Sequence, residues 1–162
     1  MFKLYLSLFL AIFFIGCSNH TPRVLFQSVS KDKAILVQSG KNKEFCSRCG
    51  MKLAKYYKTS HSATYKGKKY QYCSLHCLED HLGDGIRLKN PKVVDVKSLK
   101  FISVMDAYYV VGSSKKGTMS KVSKYAFKNK KDAKEFQKKY GGKIMTFSQA
   151  REKAQNDFKY YR

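Results

Sequence analysis

Two pairs of closely spaced cysteines constrain this chain more than any other feature. Cys46 and Cys49 are separated by two residues, and Cys73 and Cys77 by three. Thiols at such spacing can reach one metal ion from a single turn, and two such pairs complete the tetrahedral four-thiolate set typical of structural zinc. The spacing therefore predicts a treble-clef-like unit built around one metal site.

The residues between and after these pairs predict the elements of that unit. Gly50 permits the positive φ of a tight turn after the first pair. Residues 63–65 and 70–72 flank a Gly-containing loop, which is typical of a hairpin. Ser74 is a good N-cap for a helix that carries Cys77, where the helix dipole favours the thiolate. Residues 93–96 predict a further strand.

The second half repeats this order without cysteines. Strands are predicted at 107–111, 125–127 and 143–147, with a helix from 129 or 130 to about 139. Ser148 is the predicted cap of a polar terminal helix. We therefore expect an α+β protein of two small tandem ββαβ-like units, residues 45–100 and 101–150, followed by a C-terminal helix or tail at 151–162.

The first residues predict export. Residues 1–16 have a charged start, a short apolar run and a small residue at the end, as in a signal peptide. The Gly16-Cys17 pair resembles the bacterial lipobox, which predicts acylation of Cys17, a tether at 17–44, and a lipid-anchored protein of the cell envelope facing the periplasm. Phe14 replaces the more usual Leu of that motif, and an ordinary signal peptide or anchor helix is the alternative.

The charge balance is strongly basic. Lys and Arg number 33 against 11 Asp and Glu, a formal net charge of +22. Export argues against nucleic acid as the partner, and the lysines are spread along the chain. The remaining interpretations are a solvated surface, attraction to anionic lipid headgroups, or an acidic partner protein.

The cysteine spacing predicts the position of the site but does not identify the metal. Thiolates suit both zinc and Cu(I), whereas thioethers favour Cu(I). Met51 follows the first cysteine pair, and Met119 lies in a polar loop without apolar neighbours. His76 and His81, on the predicted helix, are weaker candidate ligands. Two disulfides are the competing interpretation of the four cysteines.

Several motifs in order resemble the NosL family, the nitrous oxide reductase accessory lipoproteins. They are Cys46-Ser-Arg-Cys49-Gly50-Met51, Asp106-Ala-Tyr-Tyr-Val-Val-Gly112-Ser-Ser-Lys-Lys-Gly117-Thr-Met119, Ala126-Phe127 and Gly141-Gly142-Lys-Ile-Met-Thr-Phe147. The resemblance implies a periplasmic copper(I) chaperone without catalytic activity, which serves nitrous oxide reductase through an ABC-type maturation complex. It also implies that Cys46, Cys49, Met51 and Met119 are among the copper ligands.

One segment departs from that family pattern. Cys73-Ser-Leu-His-Cys77 looks like the second half of a TRASH-type heavy-metal module. The thiols would then hold either the copper cargo or a structural zinc that leaves copper to other residues. Two further hypotheses are an interaction lipoprotein with a zinc finger and a thiol or heavy-metal-handling enzyme.

Overall fold

The computed structural model describes residues 25–159, so the predicted signal peptide and Cys17 lie outside the described residues. The first unit contains a four-stranded antiparallel sheet in the order β2-β1-β3-β4 and one helix. Its elements are β1 His61–Tyr65, β2 Lys68–Tyr72, α1 Leu75–Leu82, β3 Lys89–Val94 and β4 Phe101–Ser103. A 3-10 helix, Ala54–Thr59, precedes this sheet, and shorter ones span Lys31–Lys33 and Val104–Asp106.

The hairpin and the helix start form where the sequence predicts them. Lys66 and Gly67 form the two-residue turn between β1 and β2, with φ values of 46° and 76°. Two successive positive φ values match the right-handed twist of a hairpin. The Ser74 side chain accepts a hydrogen bond from the backbone N–H of Cys77 and so caps α1.

The second unit repeats the strand order of the first. Its three-stranded antiparallel sheet has the order β6-β5-β7, with the first strand in the centre, as β1 is. Its elements are β5 Tyr108–Val111, β6 Lys124–Phe127, α2 Lys130–Tyr140, β7 Lys143–Met145 and the terminal helix α3 Phe147–Lys159. The predicted α+β fold with tandem ββαβ-like units is confirmed, and β4 is an additional edge strand that the sequence did not predict.

The two units share one hydrophobic core, and a second, smaller core belongs mainly to the second unit. The larger cluster contains three of the cysteines together with Tyr72, Val93, Tyr109 and Ala150, so it draws on both sheets and on α3. The smaller cluster belongs mainly to the second unit and is rich in aromatic rings; its buried members are Val110, Tyr125, Phe127, Ala133 and Phe136. The predicted units are therefore packed together rather than separate.

The terminal helix α3 joins the units through a buried carboxylate. Glu79 of α1 is buried and accepts hydrogen bonds from Arg151 and Gln155 of α3. The prediction that Ser148 caps this helix is wrong, because Ser148 lies inside it. Thr146 takes that place, since its hydroxyl accepts from the N–H of Gln149 at 3.4 Å.

The segment that precedes the first cysteine lies against the domain. Phe26 packs edge-on against Tyr125 at 5.2 Å between ring centroids. Gln27 is buried, and its amide donates to the carbonyl oxygens of Lys116 and Gly117. Phe26 and Gln27 of the predicted tether thus pack onto the second unit, and the N–H of Val37 donates to the side chain of Gln71 in the first. Within residues 25–159, no helix has the length and apolar character needed to cross a membrane.

Candidate metal centre

A tight knuckle presents the first cysteine pair. The N–H of Cys46 donates to the carbonyl of Met51 at 2.8 Å, and the N–H of Gly50 donates to the carbonyl of Cys46 at 3.0 Å. Gly50 has a φ of 72°, a conformation that glycine adopts without steric cost. These bonds fold the chain back on itself and bring the Cys46 and Cys49 side chains to one end of the turn.

The second pair lies where β2 passes into α1. Cys73 follows the strand directly, and Cys77 occupies the first turn of the helix. The N–H of Cys73 donates to the Sγ of Cys46 at 3.3 Å, which joins the two pairs through the backbone. The Ser74 cap and this bond together fix where both sulfurs of the second pair lie.

The four sulfurs converge on one point. All four Sγ atoms lie within 4.8 Å of one another. The Sγ of Cys73 is 3.5 Å from that of Cys49 and 3.7 Å from that of Cys77. A tetrahedral four-thiolate ion with metal–sulfur bonds of about 2.3 Å requires sulfurs roughly 3.8 Å apart. The donor set therefore fits a single soft cation, and none of the four cysteines is in a disulfide.

Three of the four cysteines are buried and one is exposed. Cys46, Cys73 and Cys77 are buried, whereas Cys49 is exposed. A hydrogen bond from Cys73 lowers the pKa of Cys49 to about 7. Bonds from Cys73 and Cys77 also lower the pKa of Cys46, and their role as donors raises the pKa of both. Without metal, Cys73 and Cys77 therefore keep their protons, contrary to the thiolate that the helix start predicts at Cys77, and loading the site releases protons.

An ion-paired arginine braces the knuckle against α1. Arg48 lies between the two cysteines of the first pair and donates to Asp80 and Asp84, each at 2.7 Å. The two carboxylates raise the pKa of the guanidinium. Because Asp80 lies in the last turn of α1 and Asp84 follows its end, this contact links both cysteine pairs from outside the centre.

The two predicted histidine ligands lie outside the group of converging atoms. The Nδ1 of His81 is 2.7 Å from the Tyr72 hydroxyl, and the imidazole packs edge-on against Tyr65 and Tyr70. His76 is half-buried on α1, and burial lowers its pKa. Metal binding by either residue stays a prediction.

The predicted methionine ligands occupy different environments. Met51 is half-buried and packs against the larger core. Met119 is 42% exposed and has a φ of 57°. Its loop turns tightly, since a Cβ on Gly117 would lie 2.4 Å from the carbonyl oxygen of Ser120. Their roles as ligands also stay predictions.

Two threonines that the sequence did not single out connect the Met119 loop to the centre. The Oγ1 of Thr59 donates to the carbonyl oxygen of Cys73 at 2.8 Å and lies 2.8 Å from the Oγ1 of Thr118. Both threonines are buried. Because their partners are 14 and 59 residues away in sequence, no local pattern identifies this connection.

Comparison with known proteins assigns the chain to a family. The family model NosL matches residues 37–154, which include all four converging cysteines. The chain belongs to the NosL family. A solved NosL structure, the crystal structure of the copper chaperone NosL from Shewanella denitrificans, is 28% identical with a TM-score of 0.54. The match covers 68% of this chain and 92% of that one. No curated protein sequence matches. NosL is a non-enzymatic family, and this member is not an enzyme.

Proposed function

We propose that this NosL protein binds one Cu(I) ion at the four-cysteine centre and passes it to an acceptor during the maturation of nitrous oxide reductase. The convergence of four sulfurs within 4.8 Å carries the metal-binding part of the proposal. Similarity to a copper chaperone of the same family supports copper as the cargo, and thiolates are ligands that Cu(I) favours.

The single exposed cysteine of the four suits transfer rather than permanent storage. Cys49 reaches the surface while the other three sulfurs are buried. Its pKa of about 7 keeps a substantial fraction of the thiolate at neutral pH. A partner's ligand can therefore replace Cys49 on the ion first, before the buried sulfurs release it.

The setting that we propose is the bacterial cell envelope. The Gly16-Cys17 motif supports a lipid anchor at Cys17, with the domain facing the periplasm. The nitrous oxide reductase and its ABC-type maturation complex are the proposed partners, on the strength of family membership. Labelled palmitate should enter the wild-type protein in growing cells and be absent from a Cys17→Ser variant; equal labelling would overturn the anchor.

A structural zinc ion is the second candidate, because one observation favours it. Cys46, Cys73 and Cys77 are members of the larger hydrophobic core, so an ion bound to them would also stabilise the fold. In that case copper would bind elsewhere, with Met51 and Met119 as the candidate ligands.

Metal analysis of the anaerobically purified protein separates these candidates. We expect about one Cu(I) per chain, and loss of loading in Cys46→Ser/Cys49→Ser, because removing half of the donors leaves too few thiolates. Cys17→Ser is the matched control and should load normally. Tight zinc that copper fails to displace would favour the structural candidate, and normal loading of the double variant would refute the thiol assignment.

A further inference from the structure

A cleft of about 430 Å³ opens beside the cysteine knuckle. It is bordered by Cys46, Ser47 and Gly50 on one side and by Lys68, Lys69 and Tyr70 of β2 on the other. No acidic residue lines it; the remaining lining residues are Gln38, Ser39, Asn42 and Phe45. A molecule in this cleft would therefore lie directly against the loop that carries the exposed Cys49.

Charge around the knuckle is uneven. On the α1 side, Asp80 and Asp84 are paired with Arg48. On the β2 side, Lys68 and Lys69 are exposed, and within residues 25–159 neither has a carboxylate at ion-pair distance. The open side of the knuckle is thus positively charged and suits an acidic ligand.

The cleft also borders the outer edge of β2, which is only partly hydrogen-bonded to other described residues. β2 is an edge strand of its sheet. Its outer edge is closed at Gln71, whose N–H and C=O bond to the side chain of Gln38 and to Ser47. Lys69, two residues away, directs its main-chain groups to the same edge, because the orientation alternates along a strand. No described residue pairs with them. An extended peptide can add main-chain hydrogen bonds there.

We propose that the metal acceptor docks through an acidic, extended segment in this cleft, with its carboxylates on Lys68 and Lys69. The proposal rests on the metal-transfer function above and adds the side of approach and the chemistry of the partner. Docking on the β2 side places the partner's own metal ligand against Cys46, Ser47 and Gly50 of the knuckle that carries Cys49, whereas approach from the α1 side meets carboxylates of like charge.

A synthetic peptide tests the docking. The probe carries a run of glutamates beside a Cys-x-x-Cys pair, and a second peptide replaces each glutamate with glutamine. Calorimetry on the metal-free protein under reducing conditions should show the acidic peptide binding at least about tenfold more tightly than the neutral one at low salt, and less so at high salt.

Charge reversal locates the site. Lys68→Glu/Lys69→Glu should weaken binding of the acidic peptide by about tenfold or more. Cu(I) transfer to that peptide should slow by a similar factor. Lys134→Glu/Lys138→Glu, on the exposed face of α2, makes the same charge change elsewhere and should behave as wild type. Equal effects in the two variants, or none in either, would overturn the docking site.

These measurements test the proposed copper-transfer function and the docking cleft independently. Copper stoichiometry of each variant is measured before transfer, and peptide binding is measured without copper. A wild-type protein that binds the acidic peptide in the cleft but loads no Cu(I) contradicts the proposed function and keeps the docking site. A protein that loads Cu(I) but shows no charge-dependent binding contradicts the docking site alone.

Discussion

The two units of this protein have the same strand order and fill their centres with different chemistry. In the first, β1, β2, α1 and β3 surround three buried sulfurs. In the second, β5, β6, α2 and β7 surround aromatic rings, among which Phe136 lies 4.8 to 5.7 Å from four neighbouring rings. One topology is thus compatible with two ways of stabilising a small sheet and helix, metal coordination and ring packing.

This contrast predicts that the second unit supplies stability and the first unit supplies metal binding. Aromatic rings bury large apolar areas, and their packing requires no ligand. A small unit with three thiols in its core gains part of its stability only when a metal is bound. We therefore expect the second unit to act as a permanent scaffold and the first to respond to loading.

The largest expected effect is on the first unit when the metal is lost. In Cys73→Ser/Cys77→Ser, backbone amides of β1, β2 and α1 should exchange with solvent about ten-thousandfold faster than in the metal-loaded protein, while those of α2 change little. Amide exchange followed by mass spectrometry measures both units at once. Equal acceleration in both would show that the shared core makes them one cooperative unit.

The next prediction concerns a substitution in the aromatic cluster of the second unit. Phe136→Ala should lower the free energy of unfolding by about 3–5 kcal/mol, because it removes a buried ring and leaves a cavity. Metal stoichiometry should stay as in wild type. Chemical denaturation gives the first quantity and elemental analysis the second. Phe101→Ala, at a half-buried position on β4, is the control and should cost clearly less; an equal cost would argue against the cluster's role.

A buried histidine at the contact between the units predicts pH dependence. His61 is fully buried, its Nε2 lies 3.1 Å from the Tyr109 hydroxyl, and burial lowers its pKa to about 4. Between pH 6.5 and 4 the unfolded chain therefore takes up a proton that the folded chain does not. Stability is full above about pH 6.5 and falls by about 3 kcal/mol as the pH approaches 4.

His61→Gln isolates this contribution. Glutamine keeps hydrogen-bonding capacity but does not titrate, so its unfolding free energy should fall less between pH 7 and 4.5 than that of wild type. Denaturation curves of the two proteins at matched pH give the difference, in which the titration of the cysteines cancels. Parallel pH profiles would show that His61 does not contribute.

The smallest expected effect concerns the Arg48 ion pairs that join the knuckle to α1. Arg48→Ala should cost about 0.5–1 kcal/mol of stability, because Asp80 and Asp84 are partly exposed and salt screens such pairs. The cost should shrink at high salt, as thermal melts at two salt concentrations would reveal. Arg87→Ala is the matched control at an exposed position; a salt-independent loss for Arg48→Ala would mean that the side chain acts through packing.

Local signals predicted much of the first unit. The hairpin around Gly67, the Ser74 cap and the spacing of the cysteine pairs each act within a few residues, so a short stretch of sequence carries them. The site followed from the same spacing, because one pair on a knuckle and one at a helix start have few ways to meet.

The rest depends on contacts between distant residues. The packing of Phe26 on the second unit has no local pattern, since its partner Tyr125 is far away in sequence. The partner of β4 is nearby, at most 11 residues away in β3, but β4 has only three residues and is too short to show an alternating pattern. His61 also has no local pattern that indicates its partner, since its hydrogen bond to Tyr109 spans 48 residues. The cap of α3 was misassigned because Thr146 and Ser148 are both capping residues, and only the helix start distinguishes them.

The tight turn at Gly117 makes position 119 a useful place for a reporter. The backbone is held by the glycine and by the buried Thr118, which connects through Thr59 to the carbonyl of Cys73. Met119, by contrast, is exposed. If the cysteines hold the copper without Met119, a spectroscopic label that replaces this side chain would report loading of the centre through the Thr118–Thr59 connection and leave all four cysteines in place.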